Sequence, residues 1–154
     1  MNNVLNAVIE YLETNDVEYE LNKKSIIIPI TTDGIEITLG LFQLEDSECY
    51  SYFASLVVQC PKETVHRLVL LLNLINNRME RGAFTLTPDY DLVVLRGVEI
   101  TTISEFDIDD FAGILSSHIH TIDLLVPAIL GLVYDKLTVD EALEQYNKQS
   151  KQIY

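Results

Sequence analysis

Two histidines in the second half of the chain have the residue type and spacing that could bind a metal ion. His118 and His120 lie two positions apart, and imidazoles that converge on one point bind zinc and related ions. On a β-strand both rings would point to the same side. The apolar periodicity around them indicates an α-helix instead, in which they point about 200° apart. We therefore expect no metal site, and we expect His66 on a solvated helix face.

Asp107, Asp109 and Asp110 form an acidic group that could bind calcium. A dedicated calcium loop also has a glycine turn and a distal bidentate glutamate, and this segment has neither. The alternative is that the three carboxylates stabilise the positive N-terminal end of a helix. This second interpretation needs fewer assumptions.

Cys49 and Cys60 are the two cysteines of the chain. If both lie on one continuous strand, about 36 Å separates them at about 3.3 Å per residue. That distance excludes a disulfide bond between them. We expect both to be buried, unreactive thiols.

The motifs of common catalytic and phosphate-binding sites are missing from the chain. It has no Gly-x-Ser-x-Gly elbow, Walker loop, Gly-x-Gly-x-x-Gly loop or His-Glu-x-x-His pair, and only three histidines. We therefore predict a protein that is not an enzyme, with no catalytic residue and no cofactor.

The charge of the chain limits its partners. With 24 acidic and 10 basic side chains, the formal net charge is −14. Phosphate backbones are bound through lysine and arginine, so we expect neither nucleic acid nor an anionic membrane as a partner. The chain is nevertheless 48% hydrophobic, which argues against disorder and for an apolar interface.

The amino terminus, Met1 to Val4, has neither the basic region nor the apolar run of a signal peptide. The most apolar segment, Ile122 to Tyr134, contains Asp123 and Pro127 and is shorter than the roughly 20 residues that span a bilayer. We therefore expect a cytoplasmic protein in which this segment is a buried helix.

The apolar periodicity predicts an α+β fold, in which three to four helices pack on an antiparallel sheet of about five to six strands. The expected order is α-β-β-β-β-α-β-β-α-α. Short turns such as Asp33-Gly34 make neighbouring strands antiparallel, and Pro29 belongs at a strand edge or end because it cannot donate a ladder hydrogen bond. The predicted strands are Glu18 to Leu21, Ser25 to Ile30, Ile35 to Leu41, Cys49 to Gln59, Ala83 to Thr87 and Leu92 to Ile100.

The first helix is predicted from Asn3 to Thr14, and the second between Pro61 at its start and Gly82 just past its end. Apolar residues recur at steps of three and four along the second helix, which puts them on one inward face. They are Val65, Leu68, Leu72, Ile75 and Met79.

The remaining helices have capping signals in the sequence. Ser104 and Asp107 resemble a capping box at the start of the third helix, and Pro127 is expected to kink or break that helix. The last helix, Thr138 to Gln149, is predicted to begin with a capping box between Thr138 and Glu141.

Leu70 and Leu74 lie one turn apart on the polar side of the second helix. Two leucines at this position favour a second packing surface, either for another helix of the same fold or for a twin subunit. Asn73, Asn76 and Asn77 form an uncharged sector nearby, which predicts either hydrogen bonds across an interface or a fraying helix end. The candidate interface residues are therefore Leu70, Leu74, Asn73 and Asn77.

The order of these elements resembles that of the YbjN family, whose fold is shared with class I type III secretion chaperones. The resemblance rests on Leu70-Leu71-Leu72-Asn73, on Arg81-Gly82-Ala83-Phe84-Thr85-Leu86 and on Leu92-Val93-Val94-Leu95. It covers roughly Asn3 to Leu125. It implies a small, acidic, dimeric protein without catalysis, like the secretion chaperones, which bind an extended segment of a partner protein along exposed apolar grooves and strands.

These observations predict one domain over residues 1–154, with a core at 3–134 and the helix at 138–149 as an extension. We expect a non-enzymatic protein-binding module, chaperone-like or regulatory, that forms a homodimer and binds a protein or peptide client. The alternative is a small-ligand sensor with an apolar pocket between the C-terminal helices and the sheet.

Overall fold

A computed structural model describes residues 3–32, 35–44, 49–79, 82–102 and 105–151. Its helices and strands follow the predicted order, and the α+β prediction is confirmed. The elements are α1 (Asn3–Thr14), β1 (Glu20–Asn22), β2 (Ser25–Thr32), β3 (Ile35–Gln43), β4 (Cys49–Val57), α2 (Val65–Asn76), β5 (Ala83–Leu86), β6 (Leu92–Thr102), α3 (Ile108–Val133) and α4 (Val139–Lys151). The predicted turns at 33–34 and 45–48, and the residues Arg81 and Ser104, lie outside the described residues.

The six strands form one antiparallel sheet in the order β1-β2-β3-β4-β6-β5. Side chains alternate between its two faces, and in the middle of β2, β3 and β4 every second residue is buried. Helix α3 packs on this buried face, where the ring of Phe111 lies 6.2 Å from Tyr52 of β4 and 6.0 Å from Tyr11 of α1. The core therefore lies between one face of the sheet and the helices.

Pro29 is located where the sequence predicts. The ladder between β1 and β2 covers only Ser25 to Ile27, so at Pro29 the strand is paired on one side alone, with Thr38 of β3. A residue without an N–H group is tolerated there because no partner strand needs its hydrogen bond.

The bounds of α2 differ from the prediction. The amide of Thr64 donates to the carbonyl of Pro61 at 2.8 Å, so residues 61–64 form a turn and the helix begins at Val65. Gly82 has the predicted positive φ, +73°, but it lies well beyond the last helical residue. It turns the chain into β5, where a Cβ atom would come within 2.9 Å of the Arg96 carbonyl oxygen.

The inward face of α2 is broader than predicted. Leu68, Leu71, Leu72 and Ile75 are buried, whereas Val65 and Met79 are only half-buried. Leu71 is not part of the predicted stripe, although it lies three residues from Leu68 and four from Ile75, which are both buried.

Helix α3 does not break at Pro127, so that part of the prediction was wrong. The helix continues for 26 residues. Pro127 leaves the carbonyl of Asp123 without its helical donor, and Asp123 is at an exposed position where water can serve that carbonyl.

The start of α3 differs from the predicted capping box between Ser104 and Asp107. Asp107 is itself the N-cap residue, and its side chain accepts a hydrogen bond from the amide of Asp109 at 2.9 Å.

By length and composition α3 could cross a membrane. In the fold, however, its second half is largely buried, including Leu125, Ala128, Ile129 and Leu132. The prediction of a buried helix over Ile122 to Tyr134 is therefore confirmed, as the C-terminal half of a longer one. Helix α4 packs against α2 and α3 and buries Ala142 and Tyr146.

Candidate protein-binding surfaces

The four predicted interface residues lie together on the outer side of α2. Leu70 is 49% exposed, Asn73 and Asn77 are exposed, and Leu74 is half-buried at the flank. Helical steps of three and four residues make them neighbours. We call these four residues the α2 strip. Val69, which is also exposed, borders it.

The α2 strip lies in the longest part of the chain without a carboxylate. Residues 64–79 contain no Asp or Glu, although 24 of the 154 residues are acidic. Repulsion between two molecules of the same negative charge is weakest where such side chains are missing. Residues 64–79 therefore place no carboxylate of their own on the outer side of α2.

Arg67 does not contribute a free charge to this surface. Its guanidinium forms an ion pair with the carboxylate of Asp135, in the turn between α3 and α4, and also donates to the Thr64 hydroxyl at 3.4 Å. These contacts fix one flank of α2 to the C-terminal helices.

Asn76 has a different role from either alternative that the sequence suggested. Its amide nitrogen donates to the carbonyl of Phe84 at 2.8 Å, and its amide oxygen accepts from the amide of Phe84 at 2.7 Å. Asn76 is therefore bound within the fold, whereas Asn73 and Asn77 point outward. The sequence could not distinguish the three because the partner of Asn76 lies on the following strand.

These two hydrogen bonds close part of a sheet edge. β5 is an outer strand and pairs only with β6. In an antiparallel ladder, the N–H and C=O groups of alternate residues point away from the partner strand. At Phe84 the Asn76 side chain occupies both groups, so a further strand cannot pair there.

The second face of the sheet is a larger surface that the sequence did not identify. Helices α1 and α3 pack on the core face, and most side chains that alternate with the core residues are half-buried or exposed, although Ser55 is buried. We call this surface the open face. Its apolar side chains are Ile27, Phe42, Phe53, Val57 and Val94.

Phe53 and Gly40 form the centre of the open face. They are cross-strand partners on β3 and β4, and the ring of Phe53 covers the glycine so closely that a Cβ atom there would lie 2.0 Å from a ring carbon. The same ring also lies 5.9 Å from the ring of Phe42. The missing side chain at Gly40 thus lets the Phe53 ring pack directly over the β3 backbone.

The open face has little charge. Among the described side chains on this face of the sheet, Glu20, Glu36 and Arg96 are charged. On a chain of net charge −14, an apolar and nearly uncharged face that the helices leave uncovered is typical of an interaction surface. Alternation along β4 shows in the sequence, but which face the helices cover depends on the assembled fold.

The histidines do not come together. His118 is buried at 7% exposure, and its Nδ1–H donates to the carbonyl of Ile114 at 2.8 Å, while His120 is exposed on another side of α3. His66 is exposed, as predicted. Within the described ranges no three His, Cys, Asp or Glu side chains are close enough to share a metal ion.

The cysteines are half-buried rather than fully buried, and neither forms a disulfide bond. Cys60 lies beyond the end of β4, so the two do not share one strand. Burial raises the pKa of the Cys60 thiol, and Arg67 only partly offsets this. A raised pKa keeps the thiol protonated and unreactive.

Comparison with known proteins identifies the fold. No protein-family profile matches the chain, and no curated protein matches it in sequence. Among solved structures, it is similar to the crystal structure of YbjN from E. coli, described there as a proposed transcription regulator, with a TM-score of 0.54 and 13% identity over 94% of this chain and 93% of that one. The chain therefore has a YbjN-like fold.

Proposed function

We propose that this protein is a non-enzymatic protein-binding module of the cytoplasm, which forms a homodimer through the α2 strip and binds a client segment on the open face. The observation that carries the proposal is the open face itself. Its apolar side chains lie on one face of the sheet, and the helices pack on the opposite face or at the edge of the sheet. Val57 is exposed, and the other four side chains are half-buried with no helix over them. A contiguous apolar face that is partly open to water is typical of a surface that a partner covers.

The client is expected to be an apolar segment rather than a charged one. The charged side chains of the open face, Glu20, Glu36 and Arg96, are few and of mixed sign, which does not suit a highly charged ligand. Ile27, Phe42 and Phe53 offer area for apolar contacts. The closed edge at Phe84 makes strand addition at β5 unfavourable, so we expect the client to lie across the face. If the protein has a regulatory role, the open face would have to bind another regulatory protein.

The test compares two charge substitutions at exposed apolar residues. Val57→Glu places a carboxylate on the open face at a residue that is 47% exposed, and Tyr134→Glu places one on the α3–α4 turn at a residue that is 67% exposed. Each purified variant is used to capture proteins from the native cytosol. A client retained by the wild type and by Tyr134→Glu, but lost with Val57→Glu, supports the proposal.

Two results would contradict it. If the wild type, Val57→Glu and Tyr134→Glu all retain the same proteins, the binding surface is not the open face. If none of them captures a specific protein, the proposed client does not exist. Circular dichroism of each variant checks that the fold is intact, since both substitutions are at exposed sites where the cost in stability is expected to be small.

A further inference from the structure

The turn between α3 and α4 has an aspartate at a position where glycine is usual. Tyr134 is the C-cap of α3, and Asp135 follows it with a φ of +54°. The amide of Asp135 donates to the carbonyl of Leu132 at 3.2 Å, and the amide of Lys136 donates to the carbonyl of Gly131 at 2.9 Å. These are the two hydrogen bonds of a Schellman motif. A residue with a Cβ atom is strained at positive φ, so the bend holds Asp135 in a less favourable conformation than a helix would.

The sequence of this turn is compatible with a continuous helix. Tyr134 to Thr138 contain neither Gly nor Pro, the residues that most often end or break a helix. With a negative φ at Asp135, α3 could continue into α4 as one straight helix. The same chain therefore has two backbone solutions, the bend that the structure shows and a straight form that relieves Asp135.

Two contacts hold the turn in the bent form. The Arg67 guanidinium of α2 forms an ion pair with the Asp135 carboxylate, which fastens the turn to α2. Leu137 packs directly on Gly131, where a Cβ atom would lie 2.4 Å from one of the Leu137 methyl carbons. In a straight helix these two residues would be about 9 Å apart along the axis, at about 1.5 Å per residue. Opening the bend therefore separates them.

Helix α4 has a narrow apolar side for its contacts with α2 and α3. Four of its 13 residues are apolar, two of them buried and two half-buried. They are Ala142 and Tyr146, and Val139 and Leu143. The capping contact between Thr138 and Glu141 and the ion pair between Glu144 and Lys148 lie within α4 and its cap. Both would persist if α4 moved as a unit.

We propose that α4 is a hinged arm, which swings out at Asp135 as an intact helix while the sheet and the other helices stay folded. Opening exposes the apolar side of α4 and the part of α3 that it covers. The ion pair between Arg67 and Asp135 is the latch of the closed form. Hinges of this kind absorb the motion in a few backbone dihedral angles. The arm goes beyond the proposed function, since it involves neither the α2 strip nor the open face.

Thiol labelling tests the opening. In a background in which Cys49 and Cys60 are replaced by Ser, one protein carries Ala142→Cys in α4 and another carries Ala128→Cys in α3, at positions that are both 0% exposed. Under native conditions a buried thiol reacts with a soluble disulfide reagent only when its segment opens. We expect the thiol at position 142 to react about tenfold faster than the thiol at position 128. Equal rates would overturn the arm, because both sites would then open only by global unfolding.

Hinge variants are compared with the latch removed, so that the ion pair does not enter the comparison. Arg67→Ala should itself speed labelling at position 142 about two- to fivefold, as expected for a surface ion pair. In that background Asp135→Gly should slow labelling, because glycine accepts positive φ and disfavours a helix. Asp135→Ala should speed it for the opposite reasons, and the two rates should differ by about tenfold. Equal rates would overturn Asp135 as the hinge.

Hydrogen exchange separates a moving helix from a melting one. An arm that swings as an intact helix keeps its backbone hydrogen bonds, so the α4 amides should exchange more slowly than the labelling rate at position 142 implies. Amides that exchange as often as the thiol is labelled would show that α4 unfolds, and would overturn the hinge. If Ala142→Cys does not fold, Leu143→Cys at the neighbouring half-buried position takes its place in the comparison of Asp135→Gly with Asp135→Ala.

Discussion

Among single residues, Asn76 has the largest structural role that its type alone would not suggest. Its carboxamide matches the backbone donor and acceptor of one residue, and it binds both groups of Phe84. A buried or half-buried backbone group left without a partner costs roughly 1 to 3 kcal/mol. Asparagine is a mediocre helix former, so its presence at the end of α2 is explained by this contact with β5.

Replacing Asn76 by Ala should therefore destabilise the fold. We expect a loss of about 1 to 3 kcal/mol in the free energy of unfolding, because two hydrogen bonds to Phe84 disappear. Asn73→Ala is the matched control, since Asn73 is exposed in the same helix and alanine favours helix slightly. Urea denaturation measures both. Equal stability of the two variants would show that the contact with Phe84 contributes nothing.

Glu141 gives a pH-dependent prediction. Hydrogen bonds from the amide and hydroxyl of Thr138, at 2.8 and 2.9 Å, lower the pKa of the Glu141 carboxyl below its usual 4.5. A carboxyl with a lowered pKa in the folded state stabilises the protein above its unfolded pKa, and this contribution is lost as the pH falls through the folded pKa.

The variant Glu141→Gln should thus have a lower Tm than the wild type at about pH 7. Below the usual carboxyl pKa of 4.5 the difference should shrink steadily as Glu141 becomes protonated in the wild type. Glu18→Gln removes an exposed carboxylate that caps no helix and serves as the control. A difference between Glu141→Gln and wild type that is the same at neutral and at strongly acidic pH would contradict this role of the carboxylate.

The two capping contacts show which residue roles can be derived from sequence. Thr138 and Glu141 are three residues apart, and their reciprocal hydrogen bonds confirm the predicted capping box. Asn76 and Phe84 are eight residues apart with a turn between them, and the sequence does not specify how that turn brings them together. Local pairs are predictable because backbone geometry alone sets their distance.

Among the helices and strands, β3 and β4 depend on one close contact at Gly40. The Phe53 ring occupies the space above the glycine, 2.0 Å from the position of a Cβ atom. Any side chain at Gly40 must displace the ring from this position. The glycine therefore weakens β3 by its flexibility but permits the aromatic cover on the open face.

The substitution Gly40→Ala should accordingly destabilise the protein by about 1 to 3 kcal/mol, because the ring loses its packing. Gly113→Ala is the natural control. Gly113 is exposed in α3, and no atom lies within 4 Å of the place that an alanine methyl group would take, so this change should stabilise the helix by up to about 1 kcal/mol. Thermal unfolding compares them, and a Gly40→Ala protein as stable as Gly113→Ala would show that the ring moves away at no cost.

For the molecule as a whole, the order of elements was predictable and the uncovered surfaces only partly so. Alternation on β3 and β4 and helical periodicity at α1 specify elements, since each is a local pattern. The outer position of Leu70 also follows from a helical wheel. The open face could not be derived in this way, because both faces of β4 contain apolar residues and only the packing of Phe111 on Tyr52 shows which one the helices cover.

The proposed dimer depends on the exposed leucine of α2. We expect Leu70→Asp, alone or with Leu74→Asp, to give a folded monomer, because a carboxylate would lie in an apolar interface. The control is Leu21→Asp in β1, whose leucine is 44% exposed, close to the 49% of Leu70. Light scattering measures the mass of each. A Leu70→Asp protein that is still a dimer would place the interface elsewhere.

The closed edge at β5 also bears on how this protein behaves when it is concentrated. A free outer strand is a template on which further chains stack into fibres. Asn76 blocks the backbone of Phe84, and the opposite outer strand, β1, has only three residues, all exposed. Loss of the Asn76 side chain should therefore shorten the lag time of amyloid formation as well as lower stability, and dye-binding kinetics of Asn76→Ala against Asn73→Ala would measure it.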